Sequence, residues 1–267
     1  MDNLHRELAP VSAAAWAQIE AEATRTFKRH LAGRRVVDVH GPEGYGLSAV
    51  GTGRVRDIHA PAGGVLARQR AAVSLVELRA PFTLARAEID DVERGAQDSD
   101  WQPVKDAARQ IAFAEDRAIV DGYPAAGIEG IRPGTSNPPV SLPEDVRAYP
   151  AAIARALGQL RESGVDGPYS VLLSADAYIA VSETSDHGYP VLEHIRRLVS
   201  GDIIWAPAIA GAVALTTRGG DFSLRLGQEA SIGYLSHSVT EVQLYLQETL
   251  TFLTFTAEAA VNMPAGG

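Results

Sequence analysis

The feature that most constrains this chain is the apolar period of residues 98–122, DSDWQPVKDAARQIAFAEDRAIVDG. Val104, Ala107, Ala108, Ile111, Ala118 and Ile119 recur at helical spacing along one stripe. Asp98 and Asp100 place negative charge where a helix N-terminus favours it. Pro103 suits the first turn, where its missing N–H would be unpaired anyway, and Gly122 supplies the stop. Such a helix is roughly 30 Å long, about the width of a small domain. One stripe is expected to pack on a sheet. The other face, with Lys105, Asp106, Arg109, Glu115, Asp116 and Arg117, is expected to meet water or another subunit.

Upstream, Ser12 is a candidate N-cap for a helix carrying Trp16, Ile19, Ala23, Phe27 and Leu31 at spacings of three and four, ending at Gly33. Its basic flank (Arg25, Lys28, Arg29) reads either as a solvated face or as the edge of a surface that docks an apolar peptide. Val36-Val37-Asp38-Val39 is a short strand. Two extended runs follow, 55–60 and 65–82, around a turn at 60–64. Val76, Leu78, Ala80 and Phe82 alternate with polar residues and Pro81. A long charged hairpin has two faces to place, so it reads as an arm that completes itself on a neighbouring subunit. Residues 83–97 form a short acidic helix; its successive carboxylates (Asp90, Asp91, Glu93) point in different directions and no histidine accompanies them, which disfavours a metal site.

Residues 127–143, rich in Gly, Pro, Ser and Asn, mark a boundary. Beyond it the pattern alternates: helix 150–163, strand 169–174, helices 175–181 and 190–199, then strands 202–206 and 212–217. The last part returns to strands at 222–226, 231–235 and 241–255. In the last of these, Val242, Leu244, Leu246, Leu250 and Phe252 share one parity, as in the middle of a sheet. The tail, Pro264-Ala265-Gly266-Gly267, is expected to fray.

Composition closes off several functions. Asp and Glu number 33 against 24 Lys and Arg, so no excess of cations exists to neutralise phosphates, and nucleic acid is not an expected partner. Cysteine is absent, which removes disulfides, thiolate metal sites and cysteine nucleophiles and fits a reducing cytoplasm. MDNLHRELAP lacks the basic and apolar regions of a signal peptide, so presence in culture fluid needs a route this sequence does not encode. No apolar run approaches the roughly 18 residues of a membrane span. Phosphate-loop, dinucleotide, zinc-protease and nucleophile-elbow motifs are missing. The seven histidines are scattered, and His187 and His194 have poor ligand spacing.

Along nearly its whole length the chain resembles the encapsulins, bacterial nanocompartment shell proteins, and in particular mycobacterial and other actinobacterial members once described as linocin-type bacteriocins. The resemblance rests on Leu8-Ala9-Pro10, Phe27-Lys28, Gly33-Arg34-Arg35, Arg79-Ala80-Pro81-Phe82-Thr83-Leu84 and Glu93-Arg94-Gly95. It continues through Gly167-Pro168-Tyr169, His187-Gly188-Tyr189-Pro190, Arg218-Gly219-Gly220-Asp221-Phe222 and Gln247-Glu248-Thr249-Leu250-Thr251-Phe252. It implies an α+β tailed-phage capsid fold of the Hong Kong 97 type. The implied layout is an N-terminal helical arm (1–40, part of the peripheral domain), an extended loop (41–75), the peripheral domain with its spine helix (76–129), an axial domain (130–220), and the peripheral sheet with the C-terminus (221–267).

The resemblance also implies a non-enzymatic subunit of a closed icosahedral shell of about sixty copies, enclosing a cargo enzyme in the cytoplasm. The cargo expected is a dye-decolorizing peroxidase, whose haem belongs to the cargo, with a ferritin-like iron protein as runner-up. A cargo C-terminal peptide would lie in an apolar groove at Phe27, Leu31, Arg34, Val36 and Asp38, with Ile232, Tyr234, Leu244 and Leu246. Ser185, Asp186, His187, Gly188 and Tyr189 would line a fivefold pore as a polar, pH-sensitive ring. Some relatives hold a flavin against a tryptophan where this chain has Ala87, so no flavin, and no metal, is expected here. A phage-type capsid protein is the competing reading, opposed by the acidic charge and the lack of a basic tail. A bacteriocin or protease is a further one, opposed by the missing catalytic motifs.

Overall fold

Ser12 opens the chain's first helix, its Oγ accepting the Ala15 N–H at 3.1 Å. In this helix, α1 (Ala13–His30), Ala15, Ile19, Ala23 and Phe27 form the buried stripe, and Lys28, Arg29 and His30 sit in the last turn, where the helix dipole favours cations. The computed structural model describes residues 3–266. Met1 and Asp2, from the stretch read as lacking a leader, and Gly267, from the tail expected to fray, lie outside the described residues. A 3₁₀ turn at Gly33–Arg35 passes α1 into β1 (Asp38–His40). Gly33 is required there: a Cβ would lie 2.6 Å from Ile119 Cδ1 and 3.0 Å from Asp116 Oδ1.

The expected run 65–82 is two strands. β2 (Ala49–Ile58) and β3 (Ala67–Ser74) pair as an antiparallel ribbon apart from both sheets, and β4 (Val76–Ala85) begins anew after Leu75. β4 continues past the predicted boundary at 83 because Thr83, Leu84 and Ala85 pair with Gln243, Val242 and Glu241, burying Leu84. The acidic helix therefore shrinks to α2 (Arg86–Glu93). Next comes α3 (Gln102–Val120), with Pro103 in its first turn and all six predicted stripe residues buried. One expectation about this helix fails. Glu115 and Asp116, placed on the solvent face, are fully buried.

After the short α4 (Ile131–Gly134), α5 (Tyr149–Glu162) precedes β5 (Tyr169–Leu173) and α6 (Ala175–Glu183). A two-residue hairpin follows, β6 (Ser185–Asp186) and β7 (Tyr189–Pro190), then α7 (Val191–Arg196), β8 (Ile203–Trp205) and β9 (Ala212–Thr216). β10 (Phe222–Leu226), β11 (Ser231–His237) and β12 (Glu241–Thr254) return to the first sheet, where β12 pairs with β4, β10 and β11 and β10 pairs in parallel with β1. The last strand, β13 (Ala260–Met263), lies outside the first sheet, in the part of 221–267 that the sequence layout gave only as the C-terminus. It pairs antiparallel with β9 in the second sheet, ordered β13-β9-β5-β8. The small apolar residues of β13 fit the edge of that sheet and face α5 through Val261 and Met263. The tail behind it does not fray at 264–266: Leu142 donates its N–H to the Pro264 carbonyl at 2.9 Å and bridges to Ala265.

The two sheets share a core along α3. Val242, Leu244 and Leu246 of β12 pack with α1 and the first half of α3, around Val104, Ala108 and Ile111. Leu250 and Phe252, on the same face of the strand, pack with Ile119, Leu172, Ile204 and Val213, joining the far half of α3 to the second sheet. On the opposite face of β5, Val171 and Leu173 join Ile153, Leu157 and Leu160 of α5, as strand alternation requires.

Candidate functional site

Between these two stretches of core the apolar rows of α3 and β12 are both interrupted. Glu115 falls between Ile111 and Ile119, and Glu248 between Leu246 and Leu250. Arg34, carried in by the 3₁₀ turn after α1, closes the gap. Its Nε donates to Glu115 Oε1 at 2.8 Å and its Nη2 to Glu115 Oε2 at 2.7 Å, a bidentate pair. Nη1 donates to Glu229 at 2.6 Å, and Nη2 also reaches Glu248. Asp116 caps the same turn, accepting the Ala32 N–H at 2.9 Å and the Gly33 N–H at 2.8 Å.

One guanidinium cannot neutralise three carboxylates and Asp116 besides. Burial, reinforced by the charge of Glu115, pushes the Glu248 carboxyl well above the usual carboxylate range, against the pull of Arg34. Its Oε2 is buried with no hydrogen-bond partner among the described residues, so only Arg34 compensates a charge on this carboxyl. Burial likewise pushes Asp116 up to about 7, against the N–H groups of Gly33 and Ala32. Burial opposes the charge of Arg34, but its bonds to Glu115 and the fields of Glu115 and Glu248 more than offset this, so its pKa is raised.

Arg34 and Glu229 form one end of a groove of about 560 Å³ between α1 and the start of β11. Phe27, Ala23, Ile232 and Leu246 supply its apolar lining, and Thr24, Lys28 and Ser231 polar positions. Leu4 and Arg6 build another wall. The Leu4 carbonyl accepts the Tyr234 N–H at 2.8 Å, and Arg6 lies 4.1 Å over the Trp16 ring while paired with Glu20 at 2.6 Å. Of the residues singled out from the sequence, Phe27, Arg34, Ile232 and Leu246 meet in this groove. The other five do not line it. Leu244 is sealed in the core, and Leu31 and Tyr234 pack half-buried against that core. Val36 and Asp38 line a separate cavity of about 90 Å³, where Asp38 accepts the Gly220 N–H at 2.6 Å. Sequence reasoning missed Leu4, Arg6, Thr24 and Glu229. No local pattern marks them, because the groove is made by segments more than two hundred residues apart in the chain.

The segment singled out as a pore sits on the β6–β7 hairpin. Asp186 pairs with Tyr189, and His187 and Gly188 take φ of 46° and 81° at the tip, the geometry of a two-residue primed turn. The His187 side chain is 97% exposed, 3.8 Å from Asp186. Tyr189 is held by Arg197, which donates to its hydroxyl at 2.9 Å. Ala87 is exposed on α2, and among the described residues no three His, Asp or Glu side chains converge as metal ligands.

Comparison with known proteins places this geometry. Residues 1–251 match the Linocin M18 family, described as encapsulating protein for peroxidase. A type 1 encapsulin shell protein of Mycobacterium tuberculosis is 66% identical over 263 residues, covering 98% of this chain and 99% of the relative. Among solved structures, the virus-like particle from Pyrococcus furiosus superposes with a TM-score of 0.67 at 14% identity, covering 92% of this chain and 98% of the other. Gordonia phage Cozz superposes at 0.55 and 12% identity, covering 87% and 85%. At such identities the superpositions speak for the fold, a capsid fold of the Hong Kong 97 type, and the close relative speaks for the family: the chain belongs to the encapsulin shell proteins.

Proposed function

We propose that this chain is the repeating subunit of a closed cytoplasmic shell of about sixty copies, and that the groove beside α1 captures a C-terminal peptide of a cargo enzyme, a dye-decolorizing peroxidase. The groove carries the reading: an apolar floor of Phe27, Ile232 and Leu246 beneath a rim of opposite charges suits an extended peptide with a few apolar anchors. A disordered tail loses entropy on binding, so buried anchors and copies repeated around an oligomeric cargo supply the affinity. The family description, which names a peroxidase, supports the class of cargo. Arg34 then acts indirectly. Three carboxylates already hold its guanidinium, so it positions the groove wall and is not a free cation for the peptide.

The test is co-expression with the peroxidase, with and without its C-terminal segment, and electron microscopy of the shells. Phe27→Ala is a poor probe because Phe27 also belongs to the core. Thr24, exposed on the groove wall, is better. Thr24→Trp should give intact but empty shells, and Thr24→Ser filled ones. A peroxidase that is packaged equally well without its C-terminal segment, or by the Thr24→Trp shell, overturns the reading.

A further inference from the structure

The flank of α1 turned away from the groove faces a second concavity. Residues 22, 25, 26, 29 and 30 of α1 and 102, 105, 106 and 109 of α3 line an open cavity of about 500 Å³, joined by Trp205 from the end of β8. Both sets follow helical spacing, so each helix turns one continuous polar strip toward the space. Four of these side chains satisfy one another locally: Arg25 pairs with Glu22, and Arg109 with Asp106 at 3.0 Å. Arg29 and Lys105 have no carboxylate partner among the described residues. In a chain of net charge −9, this concavity holds two un-neutralised cations.

Trp205 adds an aromatic face: it is half-buried and lines the same cavity. Its ring lies 5.8 Å from that of His30, which lies 5.8 Å from Phe113. His30 Nδ1 is committed to the Thr26 carbonyl at 2.8 Å, so ring position and tautomer are held in place. An aromatic platform beside unpaired cations is the chemistry that takes a planar ring bearing a phosphate. The volume lies within the range of small-ligand sites, and the cationic set is too small for an extended nucleic acid.

We propose that the cavity between α1, α3 and Trp205 binds a mononucleotide-class ligand, its phosphate held by Arg29 and Lys105 and its base lying against Trp205. This site shares no lining residue with the groove, so either assignment stands or falls without the other. The test uses the full-length chain purified without cargo and titrated calorimetrically at low salt with adenosine 5′-monophosphate, adenosine and inorganic phosphate. The nucleotide should bind more tightly than either part. Arg29→Ala with Lys105→Ala, and separately Trp205→Leu, should each weaken it by about tenfold or more, on the scale of a lost phosphate contact or a lost base stack. Trp205→Phe keeps a ring and should retain most of the binding, which separates a stacking loss from misfolding. Equal binding of phosphate and nucleotide means an adventitious ion only and overturns the proposal. So does undetectable nucleotide binding, or full binding by the folded double variant.

Discussion

Ion pairs occur in two very different settings in this protein. At the mid-point of α3, Arg34, Glu115 and Glu248 are packed into the space between two stretches of apolar core. On the β2–β3 ribbon, Arg68 and Asp57 face each other directly across the strands at 3.3 Å, but their side chains are 63% and 89% exposed. The chemistry is the same and the surroundings are opposite. Inside, removing one partner strands a charge away from water; outside, water replaces the partner at almost no loss. The apolar residues invert the pattern. Those around Arg34 are covered, whereas Val55, Ile58 and Leu66 on or beside the ribbon are exposed, Leu66 by 90%. A two-stranded ribbon without a core is marginal alone. The buried cluster thus belongs to the core of one chain, whereas the ribbon leaves apolar side chains that this chain does not cover.

The difference is sharpest in Arg34→Ala. With Glu115 and Glu248 left buried without their cation, thermal and denaturant unfolding should show a loss of about 3–5 kcal/mol. A loss under about 1 kcal/mol would mean water reaches the cluster and the contrast with the ribbon is false. Next comes pH. The folded-state pKa values of Asp116 and Glu248 lie above their unfolded ones, so the folded chain holds these protons more tightly. Their contribution to stability is complete below the unfolded values and is lost as pH rises, for Asp116 between 3.8 and about 7. Glu248→Gln mimics the protonated side chain. It should match the parent in acid and exceed it above neutrality, and unfolding midpoints that track the parent at every pH would place the proton elsewhere.

On the ribbon the expected effects move from folding to assembly. Leu66→Asp should leave the unfolding midpoint within about 0.5 kcal/mol of the parent, as for an exposed site, while light scattering shows shells forming poorly or only at higher protein concentration. Normal assembly would free the ribbon of its role. Asp57→Ala, the smallest change, should shift stability by about 0–1 kcal/mol; a clear loss would show that the exposed pair matters more than its setting predicts.

What could be read in the sequence followed from short-range period. The stripe of α3, the alternation of β4 and the single parity of β12 each belong to one segment, so the apolar pattern displays them directly. Glu115 and Asp116 were illegible for the opposite reason. Charged residues on a helix default to solvent, and the partners that reverse this, Arg34 for Glu115 and the Ala32 and Gly33 N–H groups for Asp116, lie 81 to 84 positions away in the chain. The groove was half legible: Phe27 and Arg34, singled out from the sequence, both line it, but the wall built by Leu4 and Arg6 depends on a backbone bond to Tyr234. β13 is four residues long, too short for any period to show.

That last strand bears on how the chain is made. β12 lies at the centre of the first sheet, and β13 at the edge of the second. Both sheets are therefore unfinished until residues 241–263 have emerged from the ribosome, although α1 was synthesised more than two hundred residues earlier. Most multi-part chains fold from the front as they are translated. Here the early helices must wait, with Phe27 and Ile111 uncovered, for strands made last. Such an order means that a finished subunit forms only once the last strands have been made.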